Sequence, residues 1–196
     1  MQLLKGMGHV LLTLGACVVV VACGGGGGGS STSATALTGQ FVDSPVAGLR
    51  YSTATQSGTT NAAGEYKYLP NETVTFSIGS VTFPAVLARG TVTPVEIFST
   101  SDPSDRRVVN LLVLLQSLDE DGNPGNGIRI PAGAAAAATN AINFDVPYVT
   151  FAANSAVTTL IANSGSVTHT PITDVAASAH FNDLLTGANG ATKVNV

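Results

Sequence analysis

The 196-residue chain is 44% hydrophobic and only 10% charged, with 12 acidic against 8 basic side chains and a net charge of −4. Soluble domains carry about 25% charge, and a scarce, scattered set of cations excludes a nucleic-acid partner, which needs clustered Lys and Arg against phosphates. Two cysteines and three histidines exclude a disulfide scaffold and a Cys-rich zinc site.

Lys5 is the one cation of the first eight residues, and an apolar run follows from Val10 to Ala22. A basic start, a short apolar stretch and small residues at its end predict a secretory signal peptide, since a membrane span needs about 20 apolar residues. Val20-Val21-Ala22-Cys23 resembles the lipobox of bacterial lipoproteins, and the resemblance implies that residues 1–22 are removed and that Cys23 is lipidated. Leu14-Gly15-Ala16-Cys17 fits the same pattern loosely, but cleavage there leaves too short an apolar core. A plain secretory peptide cut near Ala22 is the alternative.

Residues 23–37 read as the lipidated Cys and a tether, with Gly24 to Gly29 followed by Ser30, Ser31, Thr32 and Ser33. Such Gly/Ser coil spans on the order of 20 Å, the slack a folded body on acyl chains requires. The resemblance implies stable anchoring through several acyl chains. With Gly24 rather than Asp after the Cys, it further implies a place at the outer membrane. The mature body then has no free thiol, and its stability rests on packing.

Residues 38–98 read as strand, turn, strand. Gln40-Phe41-Val42 runs into an Asp43-Ser44-Pro45 turn, where Asp and Pro each have a local reason to sit. Leu49 to Ser52 and Glu65 to Tyr68 alternate apolar and polar, with an Asn61-Ala62-Ala63-Gly64 turn between them. Pro70-Asn71 precedes Val74 to Ile78, and Gly79-Ser80 joins that strand to Val81-Thr82-Phe83 as a hairpin. Short strands rich in Thr, Val, Tyr and Phe predict a β-sandwich or small barrel.

Ser44-Pro45-Val46-Ala47-Gly48-Leu49 followed by Gly58-Thr59-Thr60-Asn61-Ala62-Ala63-Gly64-Glu65-Tyr66 resembles the carboxypeptidase-regulatory-like, prealbumin-like β-sandwich. Asn61 stands where that family more often has Asp. The resemblance implies a structural or adhesive module and no catalytic residues.

Residues 99–196 change period. Asp102 is expected to cap a helix with Pro103 at its first position, and Arg106 and Arg107 to pair with Asp102 or Asp105. Val108, Leu111, Leu112 and Leu115 form one stripe, widened by Val109, Leu114 and Leu118, so the helix should be buried from more than one side. Beyond it, Ala134 to Ile142 favours helix and Val149-Thr150-Phe151 suggests a strand. Asn154 is expected to cap a helix carrying Val157, Leu160 and Ile161. Thr173 or Asp174 should start another, with Ala177, Phe181, Leu184 and Leu185 inward and Gly187 as its stop. The expected fold class is therefore α+β, an antiparallel β-sandwich-like module packed on a mainly helical region.

The acidic loop at 119–127 is the one constellation with metal chemistry. Asp119, Asp121 and Asn123 occupy positions 1, 3 and 5 of a calcium loop, and three acids follow the negative end of a helix. Pro124 replaces the usual Gly, and Pro131 stands where a closing Glu belongs, so the full EF-hand pattern is missing. A shortened loop finished by Asn126 or backbone carbonyls would hold Ca2+ weakly; the alternative is a solvated Asx/Gly turn.

His169 and His180 sit in no spaced metal pair, and no G-x-S-x-G or phosphate-loop motif occurs. The expectation is a non-catalytic, lipid-anchored envelope protein whose partners are the membrane and an envelope or surface protein. A calcium-binding module is the alternative, and a hydrolase using His169 or His180 a third.

Overall fold

The computed structural model describes residues 34–188. Cys23, the expected leader 1–22 and the glycine tract lie outside the described residues, as does the stretch 189–196, where a frayed end is expected.

The first half is strand-rich. β1 (Leu37–Phe41) pairs antiparallel with β5 (Glu65–Tyr68) and parallel with β9 (Thr91–Val92). β3 (Arg50–Ser52) lies between β4 (Ser57–Thr59) and β6 (Thr73–Ile78), and β6 is continued by β7 (Val81–Thr82) and β8 (Val86–Leu87), all antiparallel. The period-two pattern holds where it is longest: Val74, Phe76 and Ile78 are buried on β6 while Thr73 faces out, as a pleated strand with one wet face requires. Phe76 meets Phe41 edge-on at 4.9 Å and Tyr66 at 5.1 Å, so aromatic rings from two sheets meet in one core. Gly64 closes the 61–64 turn at φ 71; a Cβ there would lie 2.6 Å from the Phe41 carbonyl oxygen, so no other residue fits.

The second half is helical. After a short α1 (Pro94–Ile97), α2 (Arg106–Ser117) is the centre of the molecule, with Val108 and every residue from Asn110 to Ser117 buried. α3 (Ala132–Ala137), α4 (Tyr148–Ala152), α5 (Ser155–Asn163) and α6 (Asp174–Thr186) follow, and α6 packs along α2. Phe144 contacts Phe83 at 6.0 Å and Phe151 at 5.8 Å, which makes the core continuous from the sheets into the helices. The fold is α+β, strand-rich at the N-terminal side and helical beyond.

Several caps fall where expected. Asn154 accepts from the Ala156 N–H at 2.8 Å and Thr173 from the Ala176 N–H at 3.2 Å. Gly187 ends α6 in the left-handed region at φ 70. α2, in contrast, begins later than the Asp102-Pro103 signal suggests. The Asp102 carboxylate accepts from Ser104 N–H and Oγ at 2.9 and 2.6 Å, closing an Asx turn, and Asp105 takes the cap by accepting from Arg107 N–H at 2.9 Å. Arg107 pairs with Asp105 at 2.6 Å as expected, but Arg106 reaches Asp145 at 3.3 Å.

Three further expectations are corrected. Val149-Thr150-Phe151 is helix, not strand: the Pro147 carbonyl accepts from both Thr150 and Phe151 N–H groups, which turns Phe151 inward and leaves Val149 72% exposed. α3 stops at Ala137, short of Ile142, because the Ala138 carbonyl is taken at 2.7 Å by Ser80 N–H of the β6–β7 turn. The strands are not all antiparallel, since β10 (Ile128–Arg129) returns from the helical half to pair in parallel with β2 (Val46–Ala47), beside the parallel β1–β9 pair.

Candidate functional site

The β2–β10 pairing decides where the acidic loop lies. Ile128 N–H donates to the Pro45 carbonyl at 3.0 Å, so the chain leaving α2 is drawn against the turn after β1. Between them opens a cleft of about 390 Å3, lined by Pro45, Ala47 and Ala62 on one side and by Asp119, Glu120, Asp121, Asn126, Gly127, Ile128 and Arg129 on the other. The loop is held at both edges. Glu120 N–H donates to the Arg129 carbonyl at 2.9 Å, and the Glu120 carbonyl accepts from Val167 N–H at 3.2 Å.

Within it, Asp119 is 1% exposed. Its Oδ1 accepts from Arg129 N–H at 2.9 Å, while its Oδ2 is buried with no hydrogen-bond partner. Burial, with Asp121 alongside, pushes the Asp119 carboxyl above the usual carboxylate range. Asp121 is exposed and held low, first by the Asn126 amide, which donates to Oδ2 at 2.9 Å, and by Asn123 N–H, which donates to Oδ1 at 2.9 Å. Asp119, Asp121 and Asn126 thus share the cleft, whereas Asn123 is not among its lining residues and meets the group only through its backbone N–H on Asp121. Glu120 faces Arg129 at 3.6 Å, an exposed pair of small energetic weight. Among the described residues, no three His, Cys, Asp or Glu side chains converge as a metal set.

A second polar group lies behind the same turn, and the sequence reading does not anticipate it. Asp43 is fully buried, and its two carboxylate oxygens accept from the Gln116 amide at 3.2 and 3.1 Å. The same Nε2 donates to the Ala177 carbonyl of α6 at 3.1 Å. Burial pushes the Asp43 carboxyl up to about 8, against the lowering effect of Gln116, so at neutral pH it is mainly the neutral acid. Ser44, the next residue, stands at φ 56 in the second central position of the turn bridged by Val42 and Pro45, where a type II geometry asks for positive φ. Its Oγ is 3.0 Å from His180 Nε2. Burial holds the His180 ring below the usual imidazole range, with the Asp183 charge acting in the opposite sense. His169 is exposed.

A hydroxyl on an imidazole nitrogen is the geometry of an activated nucleophile, but Ser44 is only 3% exposed, and an acyl donor needs an open approach. The signal in the sequence for this pair is slight: one Ser in a turn and one His on a helix, 136 residues apart. Buried polar groups elsewhere act as stitches. Asn110 of α2 donates to the Phe144 and Val146 carbonyls at 2.8 Å, and Ser117 Oγ accepts from Ile172 N–H at 3.0 Å.

No family model matches the chain, and neither a curated protein nor a solved structure matches it significantly. The functional reading therefore rests on the residues and their geometry.

Proposed function

We propose that this chain is a lipid-anchored component of the bacterial cell envelope that acts through surface contacts rather than catalysis. The observation that carries the reading is Val20-Val21-Ala22-Cys23 followed directly by six glycines: a lipobox-like cleavage site, an acceptor sulfur and a slack tether in the order that anchoring needs. The arrangement of buried polar groups supports a non-catalytic head, because Asn110, Gln116 and Ser117 are each spent on fastening one segment to another. The carboxypeptidase-regulatory-like resemblance of the strand region points the same way, toward a structural, adhesive or assembly role at the outer membrane.

Expression with labelled palmitate tests it. The wild-type chain should carry label and fractionate with membranes, and its intact mass should exceed that of the Cys23→Ala chain by the acyl groups. An unlabelled wild-type chain released into the medium would overturn the anchor.

The 3.0 Å contact between Ser44 Oγ and His180 Nε2 favours a second reading, an envelope hydrolase. It predicts turnover of a chromogenic ester, peptide or glycoside that is lost in both Ser44→Ala and His180→Ala. Equal background rates for the three chains would leave the non-catalytic reading standing.

A further inference from the structure

We propose that Asp119 and Asp121 bind a calcium ion in the cleft between the end of α2 and the turn after β1. A run of acids at a helix end does not by itself make a site, since solvent and local N–H groups satisfy most of them. The second observation here is Asp119 itself. It is 1% exposed, it lines the cleft, and one of its two oxygens has no hydrogen-bond donor. An unpartnered buried carboxylate oxygen is costly, and a cation held in the cleft removes that cost.

The chemistry selects the ion. The groups on offer are carboxylate, amide and carbonyl oxygens, with neither thiolate nor imidazole, which suits a hard cation. Asp121 lies beside Asp119 on the open side. Asn126 now points its amide nitrogen at Asp121 Oδ2, and rotation of that amide presents its oxygen instead. Two carboxylates, one amide and water make an irregular oxygen shell, which calcium accepts and magnesium, with its strict octahedron, does not. Because the described residues hold no third acidic ligand, the affinity belongs to the weak class, with Kd on the order of 10⁻⁴–10⁻³ M. The rival occupant is a proton shared by the two carboxyls. The site is independent of the tether and stands or falls separately from acylation of Cys23.

The test is thermal melting of the full chain in detergent at pH 7.5, with 5 mM CaCl2 or 5 mM MgCl2 against a chelated control. A ligand that binds only the native state raises Tm; for a weak site in a chain of this size the expected rise is about 3–6 °C with calcium. Magnesium should give less than half of that rise. Asp119→Asn and Asp121→Asn should each abolish the calcium response, and calorimetry should count one ion per chain. Where Asp119→Asn fails to fold, the exposed Asp121→Asn decides. No calcium shift in the wild-type chain overturns the proposal, as does a shift retained in Asp121→Asn. A wild-type chain that ignores calcium at both pH 7.5 and pH 6, and whose rise in Tm on acidification between them shrinks in Asp121→Asn, assigns the site to the shared proton and overturns it equally.

Discussion

Between pH 5 and pH 7 the Asp43 carboxyl will cost the folded chain about 1.4 kcal/mol of stability for each unit of rising pH, a slope that falls to about half at pH 8. The direction follows from where the proton sits. In the unfolded chain Asp43 ionises near 3.8, and in the folded chain near 8. Throughout that window the folded state retains a proton that the unfolded state has released, so raising the pH favours unfolding. The stabilising effect of the retained proton is complete below 3.8 and is lost as pH rises through about 8. The whole span amounts to on the order of 5 kcal/mol, comparable with the net stability of an ordinary domain. Asp119, also raised, adds in the same sense, whereas His180, held low by burial, adds stability as pH climbs toward its ordinary value. Asp43→Asn removes the largest of these contributions while keeping the shape. Denaturant melts at pH 5, 6, 7 and 8 should therefore show a flattened profile for the variant and a chain more stable than wild type at pH 8. An unchanged slope would mean that the carboxyl is solvated and ionised at neutral pH.

The second large effect belongs to Gln116. Its side-chain nitrogen is shared by both oxygens of Asp43 and by the Ala177 carbonyl, so one amide ties the turn after β1 to α2 and α6. Gln116→Met keeps the length and most of the volume but leaves a fully buried carboxyl and a buried carbonyl without that donor. Removing one partner of a buried polar pair exposes the desolvation cost of the other, and the expected loss is about 3 kcal/mol at pH 7, read from urea midpoints. In an Asp43→Ala background the same substitution should cost at least 1 kcal/mol less, because the carboxyl is no longer there to be orphaned. Full additivity in that cycle would mean that the two residues do not act as a pair.

The proposed anchor and the proposed calcium site make separate demands. Acylation at Cys23 would hold the chain at a bilayer, while the Asp119 cleft lies where the end of α2 meets the turn after β1. Calcium there would lock two segments that already meet through the Ile128 N–H to Pro45 carbonyl bond. Its expected effect is on rigidity and on the charge of that face, not on a reacting bond.

Much of the architecture was legible in the residues themselves, wherever a local rule went unopposed. The alternation of Val74, Phe76 and Ile78 had to be a strand because period two puts all three on one face. Val108, Leu111, Leu112 and Leu115 had to be a buried helix because that spacing gathers them on one stripe. Asn154, Thr173 and Gly187 marked helix ends through hydrogen bonds and backbone freedom that act within three or four residues. The acid, amide and glycine spacing of 119–127 likewise announced a loop.

What the tertiary structure alone decided was everything that depends on who the distant neighbours are. Pro147 and the packing of Phe151 turned a β-prone triplet into a helix, and Ser80 ended α3 early by taking the Ala138 carbonyl. The parallel pairing of β10 with β2 joins segments about 80 residues apart, and no pattern within either names the other. That pairing creates the cleft, buries Asp119 and leaves one of its oxygens alone. Packing of α2 and α6 behind the first turn removes Asp43 from water and brings Ser44 to His180. Residue type supplies a side chain's chemistry, but its charge state and available partners are set by dielectric and neighbours, which exist only once remote segments have closed around it.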